Sequence, residues 1–164
     1  MAKIITNTAP IIKLCQVDAL GLLQKLYEEI WTTDYIHEEE FLYPEKLVNF
    51  KNANIFKKTP DKSQLEIALK KFDKIDYGEI TCAALYAEGD YTELLMANKD
   101  AETAFIQNGI NVRNILELAY ISVKKAVYME ENARKFVKDI SKLYKPTDRV
   151  IKRFKAEGFG HLIE

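Results

Sequence analysis

Residues Lys3–Leu14 read KIITNTAPIIKL. Ile4 and Ile5 are apolar and β-branched, as in a buried strand. The apolar run breaks at Asn7-Thr8-Ala9-Pro10, a polar turn whose proline suits the start of a helix. Ile11, Ile12 and Leu14 then resume the apolar pattern. A buried strand that ends in a polar turn at a helix start is the usual place for a ligand in an open α/β sheet, outside the carboxyl end of the strand.

Working outward, Ile11–Gln16 reads as a short helix. Asp18 can cap a second over Ala19–Glu29, with Leu22, Leu23, Leu26 and Tyr27 at helical spacing. Ile30–Thr33 is strand-like, and Asp34 can cap a helix through Leu42. The stretch Tyr43–Ser63 holds two prolines and the lysines 46, 51, 57, 58 and 62, with a short strand at Asn54–Phe56. Helices follow over Gln64–Phe72 and Asp76–Ala87, then a strand over Thr92–Ala97. After them come a helix over Asp100–Asn108 and a brief strand over Ile110–Val112. A helix from Asn114 to about Tyr128 and a terminal helical pair, Glu130–Leu143 and Pro146–Lys155, complete the chain. This alternation of strands and helices predicts an α/β sandwich of three layers, a central parallel sheet of about four or five strands with helices on both faces. At 164 residues the expectation is one domain, residues 1–164, with a core over 1–128 and a C-terminal helical pair over 129–164.

Hydrophobic residues make up 48% of the chain and charged residues 30%, with a formal net charge of -1. The balance does not advertise nucleic-acid binding, and it leaves room for a local basic patch. Cys15 and Cys82 lie in separate apolar patterns, which points to a reducing interior and a cytoplasmic protein. No apolar run approaches a membrane span. The N-terminal apolar run is too short for a signal peptide. With only His37 and His161, a histidine-based zinc site is not expected.

Polar and acidic residues gather where strands end and helices begin. Glu38-Glu39-Glu40 is a run of carboxylates, of which Glu39 has Tyr35, Ile36, Leu42 and Tyr43 as its helical neighbours. Asp76 and Glu79 have the spacing of a capping box, and Asn114 and Glu117 repeat it. Asn7, and Asn98 with Asp100, are placed to cap helices. Each group has this local role open to it. Taken together they fall on one sheet edge, where clustered carboxylates are tolerated mainly around a cation. Oxygen donors without His or Cys suit Mg²⁺ or Mn²⁺.

The ordered set resembles the PIN-domain family, metal-dependent nucleases that include VapC-like toxins. The resemblance is carried by IITNTAPIIKL, VDALGLLQKLYEEIWTTDYIHEEE, IDYGEITCAALY and ELLMANKDAETAFIQNGINV, and covers most of Lys3 to about Tyr128. It is nearest to the branch that opens on an Asn/Asp-Thr-Ser/Ala-Pro turn. Carried over, it implies that Asn7, Glu39, Glu79 and Asp100 are the catalytic and metal-binding positions, with Mg²⁺ or Mn²⁺ as cofactor. It places Thr8, Asn98 and Asn114 as substrate-contacting polar residues. The chain departs from the pattern in offering a neutral amide at Asn7 and an ammonium, Lys99, beside the fourth position, which lowers the charge available to a metal. The function implied is hydrolysis of RNA, mostly single-stranded, with an antitoxin protein and a second copy of the chain as partners. The lysines between 46 and 62, and Arg149, Lys152, Arg153 and Lys155, are candidates for phosphate contacts. The alternative is a catalytically silent PIN-like domain that binds RNA or protein.

Overall fold

The computed structural model describes residues 2–40 and 54–164. Five strands form one all-parallel sheet in the order β3-β2-β1-β4-β5. They are β1 (Lys3–Thr6), β2 (Glu29–Thr33), β3 (Ile55–Lys58), β4 (Glu93–Met96) and β5 (Val112–Asn114). The opening stretch supplies the central strand β1, with Ile4 and Ile5 fully buried. Parallel strands buried on both faces read as short continuous apolar runs, and LLM in β4 is another. The edge strand β3 is mostly exposed, ending in Lys57 and Lys58, a charged edge that discourages further pairing.

Two helices, α1 (Thr8–Gln16) and α2 (Leu20–Leu26), connect β1 to β2. Between β3 and β4 run α3 (Lys62–Lys71) and α4 (Tyr77–Tyr86), and α5 (Lys99–Gln107) joins β4 to β5. Crossovers between parallel strands are right-handed. Connections leading from β1 toward β2 and from β3 back toward β4 therefore lie on opposite faces. That covers the sheet on both sides. Beyond β5, a 3₁₀ turn (Ile115–Glu117) leads into α6 (Leu118–Lys124), which packs on α2 and on α7 (Glu130–Ser141). The last helix, α8 (Asp148–Ala156), buries Val150 and Phe154, with Phe154 edge-on to Tyr120 at 4.9 Å.

The element types hold and several boundaries move. The helix expected to run to Glu29 stops at Leu26, and Glu29 opens β2. After β2 the chain is helical from Asp34, as spacing predicts, and takes π-helical form over Ile36–Glu40; residues 41–53, where the expected helix ends, lie outside the described part. The fifth strand sits two residues later than the apolar pattern places it. Its ladder opens where the Leu94 N–H donates to the Asn111 carbonyl, the register that sets Leu94 opposite Val112, while the Asn111 side chain donates to the Thr92 carbonyl. The helix after Asn114 ends at Lys124, and Ala126 then takes a left-handed φ of 56°. Among the described residues no helix is long and apolar enough to cross a membrane.

Candidate functional site

The strand order turns back between β1 and β4, so the connections that leave these neighbours diverge and open a crevice at their carboxyl ends. Asn7 follows β1 and Asn98 follows β4. Glu79 arrives from α4, which packs across β1, β2 and β4. The three meet: Asn7 Nδ2 donates to Glu79 Oε1 at 3.2 Å, and Asn98 Nδ2 donates to the same oxygen at 3.2 Å. Asn7 and Glu79 are 3% and 8% exposed.

The seat of α4 is fixed by small hydroxyl groups. Thr81 Oγ1 donates to the Gly78 carbonyl at 2.6 Å and lies 2.9 Å from Thr33 Oγ1 at the end of β2. Thr32 Oγ1 donates to the carbonyl of Thr6 at 2.9 Å, and Cys82 Sγ approaches the same carbonyl at 3.7 Å. Buried hydroxyls of this kind have to be paired; the Thr81–Thr33 pair holds the first turn of α4 against the end of β2, and the Thr32 hydroxyl ties β2 to the end of β1. Glu79, in that turn, is carried to the crevice.

The local roles that spacing allows are only partly taken. Asp76 precedes α4 without a side-chain cap, so the reciprocal box with Glu79 does not form. Asn7 precedes α1 and also makes no cap; its amide goes to Glu79 instead. Asn98 does both jobs: its Oδ1 accepts from the Asp100 and Ala101 backbone N–H groups while its Nδ2 reaches Glu79. One atom remains without a partner. Asn7 Oδ1 is buried and has no hydrogen bond among the described residues.

Glu39, Asp100, Thr8 and Asn114 are the remaining expected site residues. Glu39, read on an apolar helix face, is exposed in the π-helical turn; Leu42 and Tyr43, which complete that face in the reading, lie outside the described residues. Asp100 is exposed in the first turn of α5, and Asn98 is the residue of that loop that reaches Glu79. Thr8 opens α1, half-buried, beside Asn7. Asn114 makes the expected box with Glu117 at the end of β5. Its Nδ2 is given to Glu102 at 2.9 Å and to the Tyr144 hydroxyl at 3.1 Å.

Nothing in the sequence singles out Glu102, which reads as an ordinary helix acid in α5. It is 1% exposed. Its carboxylate accepts from the Asn98 backbone N–H at 3.0 Å, from Asn114, from the Tyr144 hydroxyl at 3.2 Å and from Arg149 at 2.5 Å. Burial pushes its carboxyl above the usual range, against the pull of Asn114 and Arg149. A neighbouring buried set joins it. Arg113 donates to Glu117 at 2.8 Å and to Glu93 at 2.9 Å. Tyr120 donates to Glu117 and Tyr27 to Glu93, each at 2.5 Å. Arg149 and Arg153 lie 4.0 and 3.7 Å from Glu117. The nearest signal in the sequence is this pair of arginines, which read there as candidates for phosphate contacts.

In the crevice the Glu79 carboxylate accepts from the amides of Asn7 and Asn98. Among the described residues no group of three or more His, Cys, Asp or Glu side chains is placed to hold a metal ion. Among the described residues the buried donors that suit a cation here are the Glu79 carboxylate and the orphaned Asn7 carbonyl, a set that fits one hard ion keeping most of its waters.

A family model described as a PIN domain matches residues 3–145. No curated protein and no solved structure matches the chain.

Proposed function

The chain belongs to the PIN-domain family, and from that premise we propose that it is a ribonuclease, hydrolysing RNA phosphodiesters with a single loosely held Mg²⁺ or Mn²⁺. The observation that carries the proposal is the Asn7 side chain. Its nitrogen is committed to Glu79 while its oxygen is buried with no donor among the described residues. Leaving such an oxygen unpaired costs on the order of 1–3 kcal/mol, and a hydrated cation beside it removes that cost.

Asn7 and Glu79 are the residues that would hold the ion. When bound, it supplies charge stabilisation at the phosphate and a more acidic water. The rest is work for the chain. Asn98 fixes the Glu79 carboxylate in one orientation, and its own position is fixed by the cap it makes on α5. Thr8 and Asn98 are the polar groups beside the crevice that suit a phosphate oxygen. Glu39 and Asp100, exposed on elements that follow β2 and β4, are additional acids at the same sheet edge. Asn114 acts at one remove, through Glu102. An antitoxin protein and a second copy of the chain are the partners in keeping with the family, and a reducing cytoplasm its setting.

A second reading has its own support. Glu79 Oε1 already takes two amide protons, which neutralise part of its charge and favour a silent RNA-binding PIN domain. A Mn²⁺ titration of the wild type and of Glu79→Gln, by calorimetry or spin resonance, separates the two. Saturable binding lost in the variant, followed by RNA cleavage lost with it, supports the nuclease. Absence of binding to the wild type in the millimolar range overturns the nuclease and leaves the silent domain.

A further inference from the structure

The charge of this chain is unevenly placed. Between residues 124 and 155 there are eleven Lys and Arg against four Asp and Glu, a surplus of seven in a chain of formal net charge -1. Part of this charge is used internally. Arg149 bonds Glu102, Lys124 bonds Glu157, and Lys135 bonds Asp139 at 2.6 Å. Of the remaining eight, Arg134, Lys138, Lys142 and Lys145 line two neighbouring grooves. Arg134, Lys138 and Lys142 follow one another at four-residue steps on α7, so they share one helix face over about 12 Å. All three are exposed, and they line an open groove of about 770 Å³ that runs to Pro146.

Pro146 also lines a second open groove, of about 640 Å³, whose cations are Lys99, Lys145 and Arg149. Lys99 is the first residue of α5, directly after Asn98, and Asn98 holds Glu79. The two grooves meet at Pro146, and the second ends at Lys99, the residue next to Asn98 of the crevice. Acids along this path are few. Glu164 lines the first groove and Asp148 the second, while Glu102 in the second is buried under Arg149. His161, in the first, is turned to Glu130 at 3.0 Å.

We propose that this path is the seat of an RNA backbone, with Arg134, Lys138 and Lys142 holding phosphates distant from the crevice and Lys145 and Lys99 leading the strand into it. A row of point charges at regular spacing suits a regularly spaced polyanion, and contacts of this kind position a strand without reading its sequence. The choice of RNA over another polyanion rests on the function proposed above; the path itself rests on the charges.

The test is binding of a fluorescein-labelled twelve-residue oligouridylate by anisotropy, in EDTA, over a range of salt. Three full-length proteins are compared: wild type, Arg134→Glu/Lys138→Glu/Lys142→Glu, and Lys70→Glu/Lys71→Glu/Lys74→Glu as a control of equal charge change. Thermal melts confirm that each is folded. The α7 variant is expected to bind at least tenfold more weakly. Its slope of log K against log salt should be shallower by about two, since each phosphate no longer neutralised removes roughly 0.7 from a single-strand slope. The control should change less than threefold. Equal losses in both variants, or no loss in either, overturn the path. A polyglutamate of matching charge that binds as tightly through the same three residues overturns the assignment to RNA. Because EDTA removes any divalent ion, the outcome is independent of the Mn²⁺ titration at Glu79, so either proposal can fail alone.

Discussion

Asn7 Nδ2 lies 3.2 Å from Glu79 Oε1, across 72 residues of chain. This bond spends the amide of Asn7 on a carboxylate and leaves its carbonyl oxygen unpaired. It makes Asn7 the residue whose replacement is most informative.

Asn7→Asp puts a second carboxylate against the first. Without a cation, two buried like charges repel and one takes up a proton; with Mn²⁺ they are both satisfied. The variant should melt below the wild type in EDTA, recover on adding Mn²⁺, and bind Mn²⁺ at least tenfold more tightly. Calorimetry and thermal melts in parallel check this. An affinity no higher than that of the wild type would show that Asn7 does not face the ion.

Asn98 carries two roles that a pair of substitutions separates. Asn98→Ala loses the cap on α5 and the bond to Glu79, and should cost about 1–2 kcal/mol in urea denaturation. Asn98→Asp keeps a good cap but sets a second carboxylate against Glu79 in place of the amide donor, a repulsion that a cation relieves. In the presence of Mn²⁺ it should recover most of the stability that the alanine variant loses.

Arg113 is the centre of the buried charge network, pairing with Glu93 and with the fully buried Glu117. Arg113→Met fills the volume and leaves both carboxylates without their main partner. Breaking a buried pair from one side costs about 3–5 kcal/mol, the largest loss expected of any single polar substitution here. Denaturant midpoints measure it. A loss under about 1 kcal/mol would mean that Arg149 and Arg153 compensate for it.

Glu102 sets a pH dependence. Burial raises its carboxyl pKa in the folded state, with Asn114, Arg149 and Tyr144 pulling the other way. A group raised on folding contributes stability that is fully present below its unfolded value and is lost as pH rises through its folded value. Stability should therefore fall as pH increases from about 4.5 through the folded value, and Glu102→Gln should flatten that part of the profile. Glu93 behaves in the opposite sense. Burial raises its pKa, but the Arg113 guanidinium overrides this and holds it below the usual range. Its contribution is present above about pH 4.5 and lost as the pH falls through its lower folded value. Urea denaturation of the wild type and Glu102→Gln between about pH 4 and 8 checks the first effect; carboxyl NMR shifts check the second.

The opening stretch shows how much was legible. Ile4-Ile5, the polar turn and Pro10 mark a strand followed by a helix, and the structure makes that strand the middle of the sheet. Asn98 has the position of a cap and is one, and Asn114 with Glu117 forms the box that its spacing predicts. Spacing turns Glu39 inward and the structure leaves it exposed, in a π-helical turn that the spacing of a regular α-helix does not anticipate. Glu102 gives no signal. A lone acid in an amphipathic helix looks the same in sequence whether it faces water or a buried arginine, and here the partner comes 47 residues later.

The sequence by itself determined the alternation of strands and helices and the polar residues that end them. These follow from side-chain periodicity and from capping, which act within a few residues. The tertiary structure decided which of those polar groups meet. The reversal of strand order between β1 and β4 opens the crevice, and the threonine contacts of α4 turn Glu79 into it. Burial then makes the choice of partner consequential. Once water is excluded, the Glu79 carboxylate must be satisfied by whatever the fold brings within reach, and the fold brings two asparagine amides.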